Sequence, residues 1–211
     1  MRYGKFISIE GSDGAGKSTQ LKRIESYLHS KNIEHIITRE PGGTPLSEAI
    51  RTLLLSKDYG EMDDMTEMLL YAAARRQHIV EKILPTLAKG VTVVTDRFVD
   101  SSIAYQGYGR NLLKETKEVN ALATGGRTPD LTIFLYLSRE QSRERKKEMK
   151  VALDRMESQQ EAFFQNVETG FLTLAEENGN RIVKIDASQS EEDVFSDIQS
   201  ALERLYDVGN E

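Results

Sequence analysis

The sequence predicts an α/β domain built on a five-stranded parallel sheet doubly wound by helices. Three observations carry that expectation. Short apolar runs rich in β-branched residues alternate with longer amphipathic stretches. The first of these runs passes through a glycine-rich turn directly into a helical pattern. The length, 211 residues, suffices for one α/β domain with a substantial core and is short for two, so residues 1–211 are expected to form a single domain.

The expected strands are 5–10, 33–38, 90–96, 131–137 and 180–186, each short and apolar enough to be buried on both faces. Helices are expected to begin near Lys17, Pro45, Met65, Ser101, Glu115, Arg139 and Asp154, with a closing helix over 191–207. Asp63 or Asp64 suits the N-cap of the third helix, and Pro85 late in it predicts a kink or an end. No repeat, linker or low-complexity segment interrupts the pattern.

Composition narrows the function. Lys and Arg number 28 against 34 Asp and Glu, a net charge of -6, which argues against a general nucleic-acid binder. An anionic ligand must then be met by locally concentrated cations. With no cysteine, disulfides, thiolate nucleophiles and zinc-thiolate sites are excluded. His29, His35 and His78 are scattered and form no metal-ligating pattern. The strand-like 5–10 follows Met1 almost at once, with no charged leader and no long apolar run, so a cytoplasmic protein without membrane contact is expected.

Gly11, Gly16, Lys17 and Ser18 fill the G-x-x-x-x-G-K-[ST] pattern, with Gly14 between them, a strand before and a helix after. This is a phosphate-binding loop, and it makes the fold expected here a P-loop NTPase fold. Backbone N–H groups of Gly11, Ser12, Asp13, Gly14, Ala15 and Gly16 are expected to cradle a phosphate chain, continued by Lys17, Ser18 and Thr19. Lys17 is expected on the β- and γ-phosphates and the Ser18 hydroxyl on Mg²⁺. Asp96 ends the third strand as a carboxylate that holds magnesium directly or through its water should. The residue after it is Arg97, where motor-type ATPases commonly place a water-activating glutamate, and no N-K-x-D guanine motif occurs. Water is therefore not the expected acceptor. Arg39 and Glu40 sit at the end of the second strand, where ligands bind open α/β sheets, and Arg51 lies on the helix beyond. Tyr71 and Arg75 share a helical face across three alanines, fit for a stacked and hydrogen-bonded planar ring, with core packing as the plain alternative.

Taken with these motifs, "DRFVDSSIAYQGYGR" at 96–110, "TREPGGT" at 38–44 and "TPDLTIFL" at 128–135 resemble the bacterial thymidylate kinase family over essentially the whole chain. The resemblance implies an ATP-dependent nucleoside monophosphate kinase that phosphorylates dTMP. A deoxynucleoside kinase and an ATPase switch without a small acceptor are the alternatives. It implies that Asp13 approaches the deoxyribose 3′-hydroxyl, Tyr71 stacks on thymine and Arg75 reads a thymine edge. It places Arg39, Arg51 and Arg97 near the acceptor phosphate, with Glu40 near the substrates and metal. Ser101, Ser102, Tyr105 and Gln106 would line the nucleoside pocket, the tyrosine set against a ribose 2′-hydroxyl. Where family members usually carry phenylalanine, this chain has Tyr71. A homodimer packed through helices is also implied.

The segment 139–150 is dense in charge. Some thymidylate kinases carry an arginine at the position of Gly14, and others supply the cation from a lid. The glycine here implies a mobile lid over about 139–157 whose Arg143, Arg145 and Arg155 are candidate cations, so that the catalytic candidates are these three with Lys17, Asp13 and Arg97. Lys146, Lys147 and Lys150 read as a solvated surface.

Overall fold

The computed structural model describes residues 3–149 and 154–207. The side chains of Lys146 and Lys147, and Lys150 altogether, lie outside the described residues. In chain order the strands are β1 (Phe6–Gly11), β2 (His35–Arg39), β3 (Thr92–Asp96), β4 (Leu131–Tyr136) and β5 (Ile182–Asp186). They form one all-parallel sheet in the order β2-β3-β1-β4-β5. The helices are α1 (Lys17–Ser30), α2 (Pro45–Leu55), α3 (Asp64–His78), α4 (Leu84–Ala88), α5 (Val99–Ser102), α6 (Leu113–Thr124), α7 (Arg139–Met149), α8 (Glu161–Glu177) and α9 (Glu191–Asp207).

Period-two alternation along β1 decides what each face of the sheet carries. Ile7 and Ile9 point to one side, where they join Ile24 and Leu28 of α1 and Val194, Ile198 and Leu202 of α9. Phe6 points to the other, against Ile79, Ile83, Leu87 and Phe98. Ser8 and Glu10 share that second face and are fully buried. Ser8 is satisfied by Thr132 at 2.9 Å. Beyond β4, Phe134 stacks on Phe171 of α8, and Phe163, Phe164 and Val167 complete that core.

Parallel register aligns the strand ends that hold the site. Ile9 pairs with Asp96, Asp96 with Arg39, and Gly11 with Leu135. Gly11 has φ 141°, and a Cβ there would lie 2.4 Å from the Leu135 carbonyl oxygen, so only glycine lets the chain leave the sheet at this point. Gly16 starts α1 from the left-handed region, φ 88°.

Local chemistry sets the helix starts. Asp63 caps α3 by accepting from the Thr66 N–H at 3.0 Å. Ser190 does the same for α9, its Oγ accepting from Asp193 N–H at 3.2 Å. A π-turn, Ile79–Ile83, separates α3 from α4, because Pro85 has no N–H to return to the preceding turn. One helix begins later than its sequence predicts. At Asp154 the chain makes a turn instead, the Asp154 carboxylate accepting from Glu157 N–H at 2.8 Å and its carbonyl from Ser158 N–H at 3.1 Å. α8 then starts at Glu161.

Candidate active site

The loop from β1 to α1 borders an open cleft of about 630 Å³. Asp13, Gly14, Ala15, Gly16, Lys17, Ser18 and Thr19 line it. Gly11 and Ser12 lie at its base, their carbonyls each accepting from Lys17 Nζ at 3.1 Å. Burial pushes the Lys17 pKa below the ordinary lysine range, and Arg97 acts in the same direction. Asp96 lines the same cleft as Ser18, and its buried Oδ1 has no hydrogen-bond partner among the described residues. Arg39, 55% exposed, reaches both carboxylate oxygens of Glu48 at 3.0 and 3.1 Å.

The three candidate lid arginines separate. Arg145 lines the cleft, donating to the Ala187 carbonyl at 2.9 Å, and Ser142 of the same helix donates to the Asp13 carbonyl at 2.8 Å. Arg143 is exposed and does not line the cleft. Arg155 departs from the expectation of a lid cation. It is buried, donating from Nε to the Leu54 carbonyl at 2.7 Å and pairing with Glu67 at 2.7 Å. The turn at 154–158 points its side chain inward, where a buried carboxylate captures it.

A second, smaller cavity of about 120 Å³ adjoins the cleft. Arg51 and Leu55 of α2, Tyr71 and Arg75 of α3, and Ser101, Ser102, Tyr105 and Gln106 all border it. The last two lie on a π-turn, Ile103–Gly109, that continues α5. Arg75 is held by its Nε donating to Glu40 at 2.7 Å, Nη1 donating to Ser102 Oγ at 2.9 Å and to Asn120 Oδ1, and Nη2 donating to the Phe98 carbonyl at 3.0 Å. Four of its five N–H groups are thereby committed among the described residues, which leaves one on Nη2. Glu40 is fixed from its other oxygen by His78 Nδ1 at 2.9 Å. Burial pushes the Tyr71 phenol above its usual range and that of Tyr105 up to about 12, so both are neutral. Gln106 is buried and donates to Glu67 at 2.9 Å.

Arg97 stands between the two spaces. Its backbone is left-handed, φ 68°, a strained geometry for a side-chain-bearing residue. The Arg97 N–H donates to the Ile9 carbonyl at 2.9 Å, its Nη2 to Asp13 at 2.7 Å, and its Nη1 to Ser101 Oγ at 2.9 Å, with the guanidinium 5.2 Å from the Tyr105 ring centroid. Sequence reasoning missed the group beneath it, Glu10. Glu10 Oε1 accepts from the Phe98 N–H at 2.7 Å and Oε2 from Ser101 Oγ at 2.5 Å, clamping the chain where it leaves Arg97. The available signal was a charged residue on the buried face of an otherwise apolar strand, one place before Gly11. Asn120, Glu67, Arg110, Asp154 and Met156 were missed as well, since each meets the site only through tertiary packing.

Burial, and then the charge of Asp100, raise the Glu10 pKa from 4.5 to about 7. The folded state therefore binds this proton more tightly than the unfolded chain. Its contribution to stability is complete below about pH 4.5 and is lost as pH rises to about 7, a span worth on the order of 3 kcal/mol. Glu10→Gln cannot titrate. The stability difference between wild type and Glu10→Gln, from denaturant unfolding at pH 5 and pH 8, is expected to shift in the variant's favour at the higher pH; a difference independent of pH would refute the assignment.

The sequence matches the family model described as Thymidylate kinase over residues 9–198. A curated thymidylate kinase from Exiguobacterium sibiricum is 46% identical over 196 residues, covering 92% of each chain. One from Pediococcus pentosaceus is 48% identical over 205 residues, covering 96% of this chain and 98% of the relative. Among solved structures, thymidylate kinase from Ehrlichia chaffeensis superposes with a TM-score of 0.75 at 32% identity, covering 95% of this chain and 99% of that one. With matches spanning nearly its whole length and a phosphate-binding loop at the strand ends, the chain belongs to the thymidylate kinase family of ATP-dependent nucleoside monophosphate kinases.

Proposed function

We propose that this single-domain enzyme transfers the γ-phosphoryl group of ATP to dTMP, giving dTDP and ADP, with ATP in the P-loop cleft and dTMP in the smaller cavity. One observation carries the reading: the cleft and the cavity share a wall made of Asp13, Glu40, Arg51 and Arg97. A phosphate entering from either side meets the same guanidinium groups, as in-line transfer between two anionic chains requires.

The residues then take roles by position. Lys17 and the loop N–H groups hold the donor phosphates. Arg51 and Arg97 hold the acceptor phosphate, with Arg39 at the mouth of the cleft. Tyr71 offers its ring to the base, and Arg75, which borders the same cavity, reads its edge. Ser101, Ser102 and Gln106 shape the sugar side, and Tyr105 closes the space where a 2′-hydroxyl would sit. Asp13 meets the 3′-hydroxyl. In the segment 186–190, Ala187 and Gln189 border the cleft, which supports this stretch as the passage for adenine.

A magnesium ion fits the donor side. A buried carboxylate oxygen on Asp96, without a hydrogen-bond partner among the described residues, lies on the same cleft as Ser18, and Mg²⁺ takes one or two protein oxygens beside phosphates and water. Bound there, it would supply charge neutralisation to the β- and γ-phosphate oxygens. Arg145 supports the lid reading best, being the one of the three candidate arginines that borders the cleft.

The protein is proposed to act in the cytoplasm as a homodimer. Among the described residues no helix is long and apolar enough to cross a membrane. Leu69 on α3, Val80 just beyond it and Leu122 on α6 are large apolar side chains left exposed, Leu122 by 80%, and they support a helical dimer face. Leu122→Glu is expected to halve the mass found by light scattering after gel filtration; an unchanged mass would place the contact elsewhere.

The reading is tested by a coupled assay with ATP, Mg²⁺ and a panel of nucleosides and nucleoside monophosphates. dTMP is expected to be the preferred acceptor, and Lys17→Ala to abolish its turnover without unfolding the chain. Preference for thymidine would indicate a nucleoside kinase, and slow hydrolysis indifferent to dTMP an ATPase switch.

The lid assignment makes its own prediction. Arg145→Ala should lower kcat by roughly a hundredfold or more with little change in dTMP KM, the signature of a contact completed near the transition state. Arg143→Ala should leave both unchanged. The opposite ranking would exchange their roles.

A further inference from the structure

Behind the smaller cavity lies an ionic cluster that none of the roles above uses. Glu67 of α3 is fully buried. Its carboxylate accepts from Gln106 Nε2 at 2.9 Å, from Arg110 Nη2 at 2.9 Å and Nε at 3.3 Å, and pairs with Arg155 Nη2 at 2.7 Å. Arg110 is tied further to Asp64 at 3.2 Å and to Gln159 at 2.9 Å. One carboxylate thus serves two guanidinium groups that approach from different segments.

Two of the partners of Glu67, Gln106 and Arg155, lead to walls of the cavity, and so does its own helix. Gln106 borders it directly. Tyr71, one helical turn after Glu67, borders it from α3. Arg155 does not border it, yet the residues on either side, Asp154 and Met156, do. The turn that carries Arg155 is also pinned to the end of α2: Nε donates to the Leu54 carbonyl at 2.7 Å and the backbone N–H of Arg155 to the Leu55 carbonyl at 3.3 Å. Leu55 is itself a lining residue. Two residues further, Glu157 borders the P-loop cleft. The turn at 154–158 therefore fronts on both spaces and is anchored on the acceptor side.

We propose that Arg155 is a positioning residue for the acceptor: held by Glu67, it fixes the turn so that Asp154 and Met156 complete the wall of the dTMP cavity. It acts on the acceptor through that wall and does not reach the donor phosphates. This inference rests on the acceptor reading of the smaller cavity. It assigns to Arg155 a signature opposite to that of a lid cation, because loss of a wall weakens acceptor binding whereas loss of a transition-state contact lowers kcat.

The test measures dTMP binding to the full-length protein by calorimetry, together with kcat and both KM values, for wild type, Arg155→Met, Arg155→Lys and Glu67→Gln. Arg155→Met leaves Glu67 paired with Arg110, so no buried carboxylate is stranded, and Arg155→Lys serves as the measurement should Arg155→Met fail to fold. Arg155→Met is expected to weaken dTMP binding and raise its KM by about tenfold, with ATP KM within about twofold of wild type. Arg155→Lys should recover part of the loss. Adding Arg155→Met to Glu67→Gln should weaken dTMP binding far less than it does in the wild type, because both act through one contact. A fall in kcat with unchanged dTMP affinity would return Arg155 to the donor side and overturn the proposal. So would unchanged dTMP affinity in all variants, or fully additive losses. Wild type that fails to bind dTMP at all would instead remove the acceptor reading on which the proposal stands.

Discussion

A guanidinium group taken out of water must be matched by a carboxylate, since breaking a buried ion pair costs roughly 3–5 kcal/mol. That constraint arranges the catalytic half of this molecule. Arg75 is matched by Glu40, Arg97 by Asp13, Arg181 by Asp100, and Arg155 together with Arg110 by Glu67. An enzyme for anionic substrates can therefore carry a net charge of -6. Its cations are concentrated at the strand ends, and the acids that hold them there are part of the same construction. The wall between the two spaces carries Arg51 and Arg97 beside Asp13 and Glu40, with Lys17 on the cleft side, and charges on the distant surface are screened from it.

The sheet order explains how these pairs converge. β1 is central, with β3 on one side and β4 on the other, so the loop after β1 lies beside the ends of both. Helices α1 and α9 cover one face of the sheet and carry little chemistry beyond the start of α1. The other face carries Glu10, and above it α3, α5 and the π-turn after α5 bring together residues that line the smaller cavity. The alternation of β1 fixes which face receives Glu10, and Glu10 in turn holds the strained turn that aims Arg97. Packing of the strand and positioning of the cation are thus the same event.

Much of this was legible in the residues. All five strands lie within two residues of their expected starts, because buried parallel strands are continuous apolar runs that helices rarely imitate at that length. The phosphate-binding loop was legible because glycine spacing and a lysine have few other uses between a strand and a helix. The start of α8 was not: an Asp-x-x-Glu pattern reads as a helix cap, and here the same reciprocal bonds close a turn that stops before Glu161. Nor was the fate of Arg155. Charge density along 139–155 looks uniform in one dimension, whereas the fold exposes Arg143, turns Arg145 to the cleft and buries Arg155. Only the partner distinguishes them, and Glu67 is 88 positions away in sequence.

Asp13 shows how the two halves of the site are joined. Its carboxylate lies 2.7 Å from Arg97 and 3.5 Å from Lys17, and its carbonyl accepts from Ser142 of α7. One residue of the phosphate-binding loop therefore touches Arg97, Lys17 and the helix that carries Arg145. A phosphate chain arriving on either side competes with Asp13 for a cation it already holds, so part of the attraction to substrate is offset by the loss of that pair. Because the same carboxylate lies against both cations, a phosphate that displaced it on one side would alter the charge presented on the other. The shared wall is for that reason an electrostatic link as well as a meeting place, and it depends on a carboxylate at a loop position that the phosphate-binding pattern itself leaves open.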